Sequence, residues 1–284
     1  MGFGSVSTLV DAYLNGAFNF THFRKVPSQV SSAGYWFDLS MAAGYPVPNF
    51  YANAPYESAV LSARSGIYHG QNVAPLSKHM FRFNMFTAAA NAVPSSWILC
   101  DYLLYYPFID LTVSDEQPLV QVATLPRYTS GEGVYAFIVS QQAPGGGGAF
   151  TYNYIDSTGN ARTTTNISLS GVTSVSALLT SGPATSNSPG PFLRMESGVK
   201  GIRSITSITF TTPSASGLAA LVLVKPLLTL TLLDITAATE LSVSDRLLTI
   251  PKIEDGAVLS LIGMSITGTV STAVFSGWLE TVWN

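Results

Sequence analysis

The sequence predicts a mainly β fold, a jelly roll or related β-sandwich with a few short helices in its N-terminal half. Three observations carry that expectation. From about residue 143 onward the chain runs as short segments rich in Val, Ile and Thr, separated by Gly, Pro, Asp or Ser, the rhythm of sandwich strands. Only two stretches, Ser7 to Phe18 and Ala74 to Val93, show a helical period, and both lie in the first half. Finally, just 10% of the 284 residues are charged, against roughly 25% in an ordinary soluble domain, while Ser and Thr are plentiful enough to hydrogen-bond on strand faces without charge.

The elements follow in order. Ser7 to Phe18 places Leu9, Ala12 and Tyr13 at helical spacing, with Ser7 or Thr8 as the N-cap. Gly34 to Gly70 is aromatic, punctuated by Pro and without clear period, and a loop of that length is functional or packed against a partner. Ala74 to Val93 predicts the stronger helix: Pro75 suits a first turn, Met80, Phe83 and then Phe86 or Thr87 recur at three to four residues, and Pro94 ends it. Trp97 to Tyr106 and Val134 to Val139 read as apolar strands. Pro144 to Gly148 is a hairpin tip or open loop, and with no Lys-Ser/Thr after it, no phosphate loop. Phe150 to Ile155, a turn at Asp156 to Asn160, and Arg162 to Leu169 form a hairpin. After a loop at Ser181 to Pro191, strands are expected over Gly201–Thr212, Leu218–Leu233, Arg246–Lys252, Ala257–Ile266 and Val270–Val282. The greasiest run, Gly217 to Ile235, contains Lys225-Pro226, which argues against a membrane span and for two strands meeting at a bend. The chain divides by texture into an aromatic-rich assembly region, 1–142, and a Ser/Thr-rich β region, 143–284, sharing one β-fold.

Composition limits the function. With 47% hydrophobic residues, 13 Lys+Arg and 16 Asp+Glu, the net charge is -3. A monomer of this mass exposes roughly 11,700 Å², or about one charge per 400 Å². That argues against a basic stripe for nucleic acid and against disorder. An assembly whose neighbours cover much of each subunit would account for the deficit. The first residues lack a basic n-region and an apolar h-region, so no signal peptide is expected, and the Met-Gly-x-x-x-Ser start is read as an accidental match to a lipidation pattern.

Candidate chemistry is sparse. Cys100 is the single cysteine, set in an apolar run and read as a small core residue. His22, His69 and His79 stand in no metal-binding spacing. His69 with Asp101 could serve a Ser-His-Asp site, but no Gly-x-Ser-x-Gly elbow accompanies them. Of the acidic pairs, Asp115-Glu116 sits in a polar connection, and Glu254-Asp255 before Gly256 reads as a hairpin turn. The expectation is therefore no enzyme, no cofactor and no metal. Tyr35-Trp36-Phe37, Phe50-Tyr51, Tyr56 and Tyr102 to Phe108 suit core and subunit interface better than a sugar platform.

Four of these segments carry a resemblance. Gly34-Tyr35-Trp36-Phe37-Asp38-Leu39-Ser40, Gly66-Ile67-Tyr68-His69-Gly70, Ile98 to Asp110 (ILCDYLLYYPFID) and Leu125-Pro126-Arg127-Tyr128-Thr129 resemble a family of tailed-bacteriophage virion structural proteins, over roughly residues 30 to 140. The resemblance implies a particle component on or near the head and supplies no catalytic residues. The resulting expectation is a capsid decoration or cement protein. It would form a homo-oligomer, with a trimer favoured, made in the host bacterial cytoplasm and located in the virion. Its partners would be the major capsid protein or other virion proteins, with no direct nucleic-acid contact and no membrane. Trp36, Phe37, Tyr102, Tyr105, Tyr106 and Phe108 are the expected interface anchors, and Arg127 a polar contact. The alternatives are a tail or neck component, and a carbohydrate- or receptor-binding module using loops 143–149 and 181–191.

Overall fold

The computed structural model describes residues 3, 5–27, 31–182, 190–235, 237–242, 251–266 and 270–284. Among the described residues one α-helix, α1 (Val6–Leu14), precedes the strands. Ser5 caps it: its hydroxyl accepts from Thr8 N while Thr8 Oγ1 accepts from Ser5 N, closing both sides of the cap. Strands then follow as β1 (Phe18–Val26), β2 (Trp36–Asp38), β3 (Ala43–Tyr45), β4 (Ala59–Val60), β5 (Lys78–Thr87) and β6 (Ser95–Asp110). Next come β7 (Gln117–Pro118), β8 (Tyr135–Gln142), β9 (Gly148–Asp156), β10 (Ala161–Thr163), β11 (Ile167–Leu169) and β12 (Ile202–Thr212). The last five are β13 (Leu218–Leu232), β14 (Thr239–Ser242), β15 (Lys252–Ile253), β16 (Leu259–Ser265) and β17 (Phe275–Trp283).

These strands form three antiparallel sheets, consistent with a β-sandwich. Sheet 1 has the order β14-β5-β17-β1-β3, with β15 also on β5. Sheet 2 runs β2-β16-β6-β13-β8, with β4 on β6, and sheet 3 runs β10-β9-β12-β7, with β11 on β9. Strands from the first and second halves pair directly, as β1 and β5 do with β17 and β6 does with β13 and β16.

Sheet 2 is the centre, and β6 shows why. Its sequence is apolar almost throughout, as a strand buried on both faces requires. Trp97 and Leu99 meet Phe23, Phe83, Phe275 and Leu279 of sheet 1. Further along, Leu104 and Tyr106 meet Phe150, Tyr152, Ile205 and Phe210 of sheet 3. Ile98, Cys100, Tyr102 and Tyr105 point the other way, into a cluster with Tyr51, Leu61, Phe137 and Leu178. Sheets 1 and 3 thus cover one face of sheet 2, and the irregular first-half segments help cover the other.

Three expectations need correction. Ala74 to Val93 is not a helix but carries β5 and a short 3-10 turn at Ala90–Ala92. The β5–β17 register slips between Arg82 and Met80, leaving Phe81 as an extra residue, so the inward set changes from Lys78 and Met80 to Phe83, Met85 and Thr87. The three-residue step across this bulge imitates a helical period. Leu218 to Leu233 is one strand rather than two. Pro226 sits in β13 beside a register slip, which accommodates its missing N–H without ending the strand. Glu254 to Gly256 is a turn, but it links β15 of sheet 1 to β16 of sheet 2 and closes no hairpin. Most of the strand expected at 246–252, and of the loop at 181–191, lies outside the described residues.

Candidate functional site

Most of the expected interface anchors lie inside the chain's own core. Phe37, Tyr102 and Tyr106 are closed off from solvent, and Tyr105 nearly so, with its hydroxyl donating to Ala52 O at 3.0 Å. Tyr106 OH accepts from Ile205 N–H at 3.3 Å, tying sheet 2 to sheet 3. In this fold these four side chains are committed within the subunit and hold its sheets together. Trp36 and Phe108 are half-buried. Arg127 forks onto Asp101, with Nε to Oδ2 at 2.8 Å and Nη2 to Oδ1 at 2.7 Å, and Nη2 also donates to Tyr102 O at 3.1 Å. The Asp101 carboxylate further accepts from Val258 N–H at 2.9 Å, so it is engaged with Arg127 and β-sheet backbone rather than with His69.

The most constrained site surrounds Asp38, at the end of β2. Its Oδ1 accepts from Ser40 N–H and Tyr102 OH, each at 2.8 Å, and Oδ2 accepts from Ser40 Oγ at 2.7 Å and from Tyr51 OH. Burial pushes the Asp38 carboxyl upward against these four hydrogen bonds, and the phenols of Tyr51 and Tyr102 rise well above their usual range. Lys25 lies nearby, donating to Ser40 O and Ala42 O, and desolvation lowers its pKa to about 8.

Beside this network is a cavity of about 290 Å³, whose lining includes Asp38, Met41, Phe50, Phe108, Gln141 and Ser176. Tyr51, Phe108 and Ser176, on or beside its wall, adopt positive φ angles of 52°, 57° and 68°. Backbone conformations of this kind persist where surroundings over-determine them. Gln141 does so here: its carbonyl accepts from Phe108 N–H at 2.7 Å, and its amide donates to Phe50 O and Tyr51 O. With its acceptor sites filled, Asp38 serves as a fixed anchor for β2, β6 and the Tyr51 loop. Sequence reasoning missed it, although a lone acid in the apolar run Trp36-Phe37-Asp38-Leu39 signals a buried, satisfied charge.

A second buried network involves His69. Its Nε2 donates to Ala257 O at 3.0 Å, which leaves Nδ1 to accept from Lys78 Nζ at 3.1 Å. Lys78 also donates to Gln71 O and to Asp255 Oδ1, while Asp255 accepts from Val73 and Ala74 N–H. Burial and the Lys78 charge lower the His69 pKa to about 4. His22 is exposed, its ring 4.6 Å from Trp278, and His79 lies 5.7 Å from the Phe3 ring. Among the described residues no three His, Cys, Asp or Glu converge as a metal site. Cys100 is buried, and desolvation raises its thiol pKa well above the usual range. No described helix is long and apolar enough to cross a membrane.

The surface offers a different feature. α1 buries Leu9 against Val282 of β17, yet Val6 and Leu14 of the same helix are 61% and 77% exposed. Tyr13 of α1 stacks on Phe18 of β1 at 4.4 Å, and Phe20, 48% exposed, stacks on Trp278 at the same distance. Helix and strand thus present one continuous apolar surface on the outer face of sheet 1.

No family model matches the chain, and no curated protein does. Among solved structures it is similar to the infectious bursal disease virus VP2 subviral particle, at 8% identity and a TM-score of 0.22, over 94% of this chain and 81% of that one. A likeness that slight carries no argument about this chain.

Proposed function

We propose that this protein is a structural subunit of a bacteriophage virion, a capsid decoration or cement protein that works by covering and tying its neighbours. The observation that carries the reading is its surface. The chain has 13 basic and 16 acidic residues, of which Lys25, Lys78, Asp38, Asp101, Asp156 and Glu280 are buried, so its 11738 Å² of surface is poor in charge, while α1 and β1 hold large apolar side chains in water. Contiguous apolar surface of this kind marks an interaction site. Its burial contributes roughly 25 cal/mol per Å² before association costs. The resemblance of residues 30 to 140 to virion proteins supplies the particle. The aromatic run of β6 then has an internal role: it makes each subunit a rigid unit for assembly.

The test is protein mass analysis of purified particles. Hundreds of copies per particle support a shell role, six or twelve move the protein to the neck or tail, and its absence refutes the reading. One feature favours a glycan-binding alternative. A hollow of about 370 Å³ is lined in part by Thr124, Leu125, Thr129, Arg203 and Ser204. Glycan binding by the isolated chain, abolished by Arg203→Ala, would support that alternative.

A further inference from the structure

We propose that the free edge of β1 pairs antiparallel with β1 of a second copy, joining two sheets 1 across a two-fold axis at Phe20. The pairing deepens the structural-subunit reading and rests on it only for the reason to assemble.

The backbone sets the geometry. β1 and β17 pair with Phe18 opposite Val282, and one step beyond, Trp283 N–H donates to Ala17 O at 3.0 Å. Antiparallel ladders alternate, so the odd-numbered residues of β1 bond to β17 and the even-numbered ones face the other edge. β3 occupies that edge only opposite Arg24 to Val26. The N–H and C=O groups of Phe18, Phe20 and His22 therefore point outward, and no described strand lies beside them. A second β1 centred on Phe20 places Phe20 opposite Phe20 and Phe18 opposite His22. All are hydrogen-bonded positions, so all six groups on each strand are satisfied by six new bonds. A register one residue away would set these groups opposite inward-bonded ones.

The side chains agree with the backbone. Natural edge strands avoid pairing through charge, Pro or bulges, but Phe18 to Phe23 (FNFTHF) contains no charged residue and no Pro, and its register with β17 is unbroken. No like charges oppose each other across the axis. Each Phe20 already stacks on Trp278, so pairing builds a row of four aromatic rings, Trp278-Phe20-Phe20-Trp278. Phe18 and Phe20, 37% and 48% exposed on the outer face of this edge strand, are covered on pairing.

The test uses the purified full chain. Sedimentation velocity over a concentration series should show reversible pairing. Phe20→Pro removes an outward N–H and no β17 bond, and should weaken pairing a hundredfold or more. Phe86→Lys, on the same sheet face but an inner strand, should leave it unchanged. In parallel, oxidation of the Phe20→Cys variant should give a disulfide-linked dimer, since Cα atoms of such a pair stand about 5.5 Å apart, whereas Phe86→Cys should not. The cross-linking arm decides if the Pro variant fails to fold. A wild-type chain that stays monomeric throughout, Phe20→Pro pairing as tightly as wild type, or no cross-link in the Phe20→Cys variant would overturn the inference. Pairing through Phe20 by a chain absent from particles would leave it standing and sink the virion reading instead.

Discussion

Arg127→Ala provides a demanding test of how the core is wired. The Asp101 side chain is 0% exposed and that of Arg127 11%, so the ion pair is almost out of water. Removing Arg127 deletes two bonds to the carboxylate and one to Tyr102 O, leaving Val258 N–H as a remaining donor to Asp101. Breaking a buried pair by deleting one partner costs about 3–5 kcal/mol, and each 1 kcal/mol moves the melting temperature of a chain this large by about 2–4 °C. The variant should therefore melt roughly 10 °C lower. The sign of its pH dependence is also fixed. Burial raises the Asp101 carboxyl even with Arg127 present, and without the guanidinium it rises further. Between the ordinary carboxylate range and that raised value, the folded state binds more protons than the unfolded one, so acidification stabilises the variant relative to wild type. Urea unfolding at pH 7 and pH 5 should show a large loss at the first and a smaller one at the second. A loss under 0.5 kcal/mol, or one independent of pH, would refute the assignment of Arg127 as an internal tie.

Three further outcomes follow from buried groups. Unfolded His69 protonates near 6.5 and folded His69 only at about 4, so stability should fall by roughly 3 kcal/mol as pH drops through that window. His69→Gln should flatten the slope in urea titrations. Lys25 behaves in the opposite range: it loses its proton at about 8 when folded and at 10.5 when unfolded, so stability should rise with pH across that interval, a rise that Lys25→Met removes. Gly263→Ala would drive a Cβ into the Trp97 ring and should cost about 1–3 kcal/mol in thermal unfolding, the range for overpacking a core.

The sequence made some of this legible and hid the rest for physical reasons. Strands such as β12 and β16 were readable because their β-branched and apolar runs are bounded by turn residues. β5 was not, because its bulge at Phe81 turns a period of two into a step of three. Pro226 reads as a break in isolation, yet a neighbouring register slip lets β13 run through it. Tyr102, Tyr105 and Tyr106 of β6 are buried within the subunit, and residue type alone does not separate burial inside a subunit from burial between subunits. Asp38 and Asp101 were each visible as an acid in an apolar run. Their partners, Tyr51, Tyr102 and Arg127, come from up to 64 residues away and emerge only when the chain is folded. The edge of β1 depends on which strand fails to extend, and no local pattern records that.

The central claim is that neighbours in a particle cover the charge-poor apolar surface of α1 and β1. Amide hydrogen exchange of the free chain and of purified particles tests it directly. The amides of Phe18, Phe20 and His22, which point away from β17, should exchange at least a hundredfold more slowly in particles. Equal exchange in both, or particles that lack the chain, would contradict the account.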